Sequence, residues 1–529
     1  MYAMASTELS DTPHRAGRRR GITFAATEVS RVLRELSEGS KSTPEQRWLR
    51  AVASRVTNAR PDLSEELLKV LGVQPADSDP LRGLTIGEIG VCYEALLAEM
   101  GPAERRSSGQ FFTPDDAAEF MASRSRDFGD GVWLDPCCGV GNLAWHLANF
   151  QSDPADFISR SLVLIDIDDV ALRSAIALIA GDFAAPGDVG AVQLLSERAQ
   201  RRDFLSAKPL PEHDFAILNP PYARAEPKMK FRTAACRDLF AYFIERLADT
   251  SRGYIAVTPA SYLCAPKFQP LRSEIERHEK GGEIYVFDNV PDTLFRGYKF
   301  GSSNTSKTNF VRAAVTVCAP NADSWFITPI IRWKTAVRTT MFDQCSRLLA
   351  PLRHGRDGEW AKLSPGQAKI WDSLTDERVT LADLVVKGPT THSLDVATTP
   401  RYFISAAFRE LDRTTKVTLY FATAAYRDRA AVVLNSSVPY LWWRALDGGV
   451  TLPKRVLMSI PVPEVPNGAR LVSALRRSEE ENIVVKLNAG KHNENVKHPQ
   501  SLVDLINDAV IPEAEGLDVL YSNNMFPLG

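Results

Sequence analysis

Nowhere in these 529 residues do eighteen apolar residues follow one another, so no membrane-spanning helix is expected. The chain also lacks a charge signature: Lys+Arg 63 against Asp+Glu 65 leaves a formal net charge of -2. That balance excludes a uniformly basic nucleic-acid coat protein, and any polyanionic partner would have to meet a local positive surface. Cysteine is scarce. The seven (Cys92, Cys137, Cys138, Cys236, Cys264, Cys318, Cys345) show no metal-ligand spacing, so no metal is expected. Several lie in apolar runs, which predicts reduced, buried thiols and a cytoplasmic protein. Arg15 and Arg18-Arg19-Arg20 are followed by no apolar core, so the N-terminus does not read as a secretory signal. No internal repeat is present.

What is present divides into a basic arm and three larger parts. Residues 1–21 read as a disordered, solvated arm. Residues 22–105 carry apolar residues at helical spacing, including Val29, Val32, Leu33, Leu36, then Leu63, Leu67, Leu71, and finally Ile89, Tyr93, Leu96. From 106 to 320 apolar strands alternate with helical stretches, the pattern of an α/β doubly wound sheet. Strands are predicted near Gly253–Thr258, Glu283–Phe287 and Ala313–Cys318, with a helix over Asp238–Ala248. Residues 321–529 read as α+β with many prolines. Within them 321–455 hold 19 Lys/Arg against 13 Asp/Glu, and 466–500 read as a helix followed by a loose loop, before a helix over Leu502–Val510. Trp442 and Trp443 are expected in the core.

The chemistry concentrates at five places. Asn219-Pro220-Pro221-Tyr222 follows the buried run Phe215–Leu218. An Asn side-chain oxygen and a prolyl carbonyl can both accept from one –NH2 group, and a tyrosine ring can stack on the plane bearing it. Upstream, Val132-Trp133-Leu134-Asp135 runs into Pro136-Cys137-Cys138-Gly139-Val140-Gly141-Asn142 and then a helix to Phe150, a strand, small-residue turn and helix start that let backbone approach a ligand. A second strand, Ser161–Ile165, ends in Asp166, placed to accept from two ribose hydroxyls; Asp168 reads as the cap of the helix Val170–Ala180. Asp203-Phe204-Leu205 offers a carboxylate for an adenine amine and a ring for its face. Gly109-Gln110-Phe111-Phe112-Thr113-Pro114 precedes them all. Singly, each has a plainer reading: a Gly-x-Gly turn packs strand on helix, an Asp caps, Asn-Pro-Pro-Tyr turns the chain.

Their order and spacing resemble the gamma class of N6-adenine DNA methyltransferases, over roughly residues 85–320. The resemblance implies a Rossmann-like S-adenosylmethionine-dependent methyltransferase sheet, a helical N-terminal region like that of type I modification subunits, and an α+β C-terminal target-recognition domain. It implies S-adenosyl-L-methionine as cofactor, with Phe112, Thr113, Pro114, Asp135, Gly139 and Gly141 at the methionine end, Asp166 at the ribose, and Asp203 and Phe204 at the adenine. Asn219, Pro220, Pro221 and Tyr222 would be catalytic, and Phe300 or Phe310 would close on the other face of an extruded base. Val433–Ser437, Leu441-Trp442-Trp443 and Leu452–Arg455, closing at Ile460–Pro463, resemble a recognition domain, with Lys454 and Arg455 on phosphate.

An adenine amine conjugates into its ring and is a poor nucleophile. Acceptors at Asn219 and Pro220 would draw it toward tetrahedral geometry, so positioning and electrostatics replace a strong base. The partner is then duplex DNA, with a restriction endonuclease or specificity subunit as candidate protein partners. Three other readings stay open: a modification subunit needing a separate specificity subunit, a methyltransferase of protein glutamine, and one of RNA. Pro61-Asp62 and Pro291-Asp292 lack the Glu/Asp-x-Lys pair a fused nuclease would need, so the chain is expected to modify only.

Overall fold

The computed structural model describes residues 26–37, 42–100, 113–295, 311–400, 402–488 and 491–512, with a few isolated positions beyond. Phe112, Phe300 and Phe310 lie outside the described residues.

Short, largely apolar runs become the buried strands β1 (Trp133–Asp135), β2 (Leu162–Asp166), β4 (Phe215–Leu218) and β5 (Gly253–Pro259), while β3 (Ala199–Arg201) is a polar, partly exposed edge strand. They are followed by β6 (Gly282–Phe287), β7 (Ala313–Cys318) and β8 (Trp325–Trp333). Strands apolar on both faces must be covered on both, as a doubly wound sheet does. The order across the sheet is β8-β6-β7-β5-β4-β1-β2-β3, with β7 antiparallel to β5 and β6 and the other neighbours parallel. The chain leaves β1 toward β2 and β3, then returns to β1's other side with β4. That reversal opens a crevice at the carboxyl ends of β1 and β4, where open α/β sheets bind ligands.

The sheet does not stop at residue 320. Trp325–Trp333 joins it beside β6, and Ala350–Pro351 and Met525–Phe526 pair with β8 in turn. Nor do the N-terminal helices form a body of their own. Pro44–Ala59 and Ile86–Met100 share one apolar core with the sheet, in which Trp48 is fully buried and donates from Nε1 to Ser174 at 3.0 Å. Each large apolar side chain so buried contributes about 1.5–3 kcal/mol.

The C-terminal part builds a separate core around Trp371 and Trp442, stacked at 4.5 Å, so both Trp442 and Trp443 are interior as the sequence predicts. Its four-stranded antiparallel sheet runs Val385–Val386, Lys416–Phe421, Ser393–Ala397, Ala406–Ala407. The expected loose loop after the helix Gly468–Glu481 is instead a β-ribbon, Ile483–Asn488 against Lys491–Val496. Local polarity hid its alternation; the pairing is fixed where Glu494 and Asp412 exchange hydrogen bonds, tying the ribbon to the rest of the part.

Candidate active site

Four strand ends meet at one cavity of about 370 Å³. Asp135 closes β1, Asp166 closes β2, Arg202 and Asp203 follow β3, and Asn219 follows β4; all line it, with Thr113, Gly139, Phe204 and Pro221. Thus segments 113 to 221 converge as their order implied.

Backbone geometry explains the turn after β1. Gly139 and Gly141 hold φ of 52° and 94°, conformations an L side chain rarely adopts. A Cβ at Gly141 would come within 3.0 Å of Ala175 and Ile179, so the helix Asn142–Asn149 can lie this close to Asp169–Phe183 only with glycine there. Gly139 N–H then donates to Asp166 Oδ2 at 2.7 Å, and Asp168 N–H to Oδ1 at 2.8 Å, fixing that carboxylate at the cavity wall. Asp168 caps the following helix as expected, accepting from Val170 and Ala171, and also accepts from Tyr93 Oη at 2.6 Å.

The cavity is negative and low in dielectric. Burial pushes Asp166 up to about 6, against the pull of the Asp168 and Gly139 amides. Burial likewise raises Asp135 well above the usual carboxylate range, with the Asp166 charge adding to it. Among the described residues, Asp135 Oδ2 and Asn142 Oδ1 are buried acceptors with no hydrogen-bond partner. A wall of unsatisfied acceptors suits a ligand that brings donors and positive charge.

Asn219 is tied to this wall from two sides. Its Nδ2 donates to Thr113 Oγ1 at 3.1 Å, and its carbonyl accepts from Cys137 Sγ at 3.4 Å. Thr113 is held in turn, its carbonyl accepting from Asn142 Nδ2. Next along, Asp115 accepts from Thr85 Oγ1 (2.6 Å) and Gly87 N–H (2.9 Å) and pairs with His146 at 3.0 Å. Burial works against this carboxylate, but His146, Thr85 and Gly87 outweigh it and hold it below its ordinary value. The N-terminal helices therefore position the Asn219 turn through Asp115 and Thr113, a link no local pattern signals.

Tyr222 stands apart from this cavity. Its hydroxyl donates to Val257 O at 2.9 Å, and its ring meets Phe240 and Phe295 edge-on. Phe204 is buried and stacks on Phe243 at 4.8 Å, while Asp203 Oδ1 accepts from Leu205 N–H. Of the two basic residues expected on phosphate, Lys454 is exposed, but Arg455 pairs with the buried Glu359 at 2.5 Å and donates to Cys264 O. Its charge is already used in fastening the C-terminal part to the sheet. Sequence reasoning missed further lining residues, among them Tyr93, Ile167, Lys228 and Phe243. Ile167 carried a signal, a bulky apolar residue directly after Asp166, and it is 65% exposed at the wall. The other three are brought in only by tertiary packing.

This sheet order, with its antiparallel β7 and its site at the β1–β4 reversal, is a doubly wound, Rossmann-like α/β sheet. Residues 85–163 match the family model described as N-6 DNA Methylase. The type II methyltransferase M.VspI of Vibrio sp. (strain 343) is 29% identical over 142 residues, covering 26% of this chain and 30% of that relative's length. Among solved structures, the type IIG restriction endonuclease BpuSI is 12% identical over 94% of this chain and 78% of its own, with a TM-score of 0.40. The DrdV–DNA complex is 13% identical over 70% and 47%, with a TM-score of 0.42. Both structures are too distant to add to the topology read from the chain itself.

Proposed function

We propose that this chain transfers a methyl group from S-adenosyl-L-methionine to the N6 amine of adenine in duplex DNA, as the modification part of a restriction-modification system. The observation that carries the reading is the attachment of Asn219 to the rim of the cavity lined by Asp135 and Asp166. The N-6 DNA Methylase match and the M.VspI relative support the DNA substrate.

The residues present fit the donor: buried acceptors for an ammonium at Asp135, a fixed carboxylate for a ribose diol at Asp166, and Asp203, Phe204 and Ile167 for an adenine. Phe112, Thr113, Pro114, Gly139 and Gly141 complete the methionine end. Bound there, the donor supplies an electrophilic methyl on a sulfonium. Asn219 Oδ1 and the Pro220 carbonyl accept the two amine hydrogens and orient the lone pair, while Pro221 stiffens the turn. Tyr222 stacks on the extruded base, with Phe300 or Phe310 closing the far face, and offsets part of an extrusion cost of a few kcal/mol. Residues 321–529 recognise the target sequence, with Lys454 on the DNA backbone.

The test is to express the chain alone in a host free of adenine methylation and sequence its DNA for modified bases. Methylated adenine at one defined motif is expected, and none with Asn219→Ala. Label from the donor entering protein or RNA instead of DNA would overturn the assignment, and methylation that requires a second subunit would overturn built-in recognition.

A further inference from the structure

Beyond the donor cavity, the carboxyl edge of the sheet carries a second cluster of charge. Asp288 directly follows β6 and is 2% exposed. Arg312, directly before β7, donates from Nε to its Oδ1 at 2.7 Å. Arg332, near the end of β8, places Nε 3.0 Å from its Oδ2. Arg444 enters from the helix Val438–Leu446 of the C-terminal part, with Nη2 3.5 Å from Ile330 O. Two guanidiniums thus hold one carboxylate, with Arg444 close enough to feel its charge, and among the described residues no second carboxylate forms an ion pair with any of the three. Burial lowers the Arg444 pKa; Tyr440 and Asp288 act to raise it, and Arg332 and Arg312 act to lower it further.

A purely structural pair needs one arginine per aspartate. Holding further cations half-buried is costly unless an anion joins them. The Nη groups of Arg312 and Arg332 are directed to no acceptor among the described residues, and these side chains remain 22% and 21% exposed. They are preset by Asp288 yet open to solvent, and guanidiniums suit the tetrahedral oxygens of a phosphate.

Position identifies the anion. Arg312 O accepts from Ala260 just beyond β5, and it is β5's Val257 that takes the Tyr222 hydroxyl. β7 lies two strands from β4, about 10 Å at ordinary strand spacing. That is a few phosphate rises along a nucleic-acid strand, at about 3.4 Å each. The cluster also lies on the seam where the C-terminal part meets the sheet.

We propose that Arg312, Arg332 and Arg444 form a prebuilt seat for a backbone phosphate of the DNA strand that presents the target base, an inference resting on the function proposed above. It sets the register of the strand without reading sequence.

The test titrates the full chain onto a fluorescent duplex fragment of plasmid DNA between 50 and 200 mM KCl, with donor affinity measured in parallel by calorimetry. Arg312→Gln/Arg332→Gln should weaken duplex binding about tenfold or more and make the slope of log affinity against log salt shallower by about 0.9, the value of one lost phosphate contact. Donor affinity should stay within threefold. Arg312→Lys/Arg332→Lys keeps the charge and should restore most of the slope, which a merely structural role would not predict. If the wild-type chain binds and methylates DNA while the glutamine variant keeps the wild-type slope, the seat is wrong and the proposed function stands. A wild-type chain that binds no duplex overturns both.

Discussion

Two stretches of one sheet edge are charged in opposite senses. Along β1 and β2 the strand ends present Asp135 and Asp166, carboxylates whose pKa values burial pushes up. Along β6, β7 and β8 the same edge presents arginines crowded on Asp288. Between them, after β4, stands Asn219, uncharged. One sheet edge is thus divided into an acidic half and an arginine-bearing half, with an uncharged turn at the boundary, a division that suits the cationic donor and the polyanionic substrate proposed above. The separation matters because in a low-dielectric site a misplaced charge costs more than a lost hydrogen bond.

The comparison can be broken at its centre first. Asn219→Ala should reduce methylation by about a thousandfold or more, as loss of a key transition-state contact does. Donor affinity by calorimetry should change only a few-fold; equal loss of donor binding in Asn219→Ala and Asp166→Asn would merge the two halves. Next, Asp166→Asn should weaken donor binding about ten- to a hundredfold.

The pH dependence sharpens this. Asp166 titrates near 6, above its unfolded value, so the folded chain holds the extra proton. Its contribution to stability is full below about pH 4 and fades as pH rises through 6. Donor binding runs the other way, because the ionised form accepts both hydroxyls. Affinity should therefore rise about tenfold from pH 5 to pH 7, and a flat profile would remove Asp166 from the donor site.

Gly141→Ala adds a Cβ at positive φ against Ala175 and Ile179, and should destabilise the chain by about 2–4 kcal/mol in denaturant unfolding. The smallest effect is expected from Tyr93→Phe, which removes the bond to Asp168. It should cost about 1–2 kcal/mol and leave methylation within threefold. A large activity loss there would show that the N-terminal helices do more than position the site.

Much of the donor half was legible because its logic is local. Asp135 and Asp166 each end an apolar strand, and Gly139 and Gly141 lie in the turn that demands them. The other half was not. Arg312, Arg332 and Arg444 are separated by up to 132 positions, and no spacing rule connects an arginine before one strand to another inside the next. Arg455 misled for a related reason: a basic pair after a Leu-Pro turn looks solvent-facing until Glu359 is found buried beneath it.

By itself the sequence determined the alternation of strands and helices, the turn after β1, and the Asn-Pro-Pro-Tyr corner, since each depends on neighbours within a few residues and on side-chain periodicity. Only the tertiary structure decided that Thr113 braces Asn219, that the N-terminal helices share the core of the sheet, and that two distant guanidiniums meet on one aspartate with a third beside them. Those contacts join segments far apart in the chain, and it is long-range packing, not local preference, that chooses which of them touch.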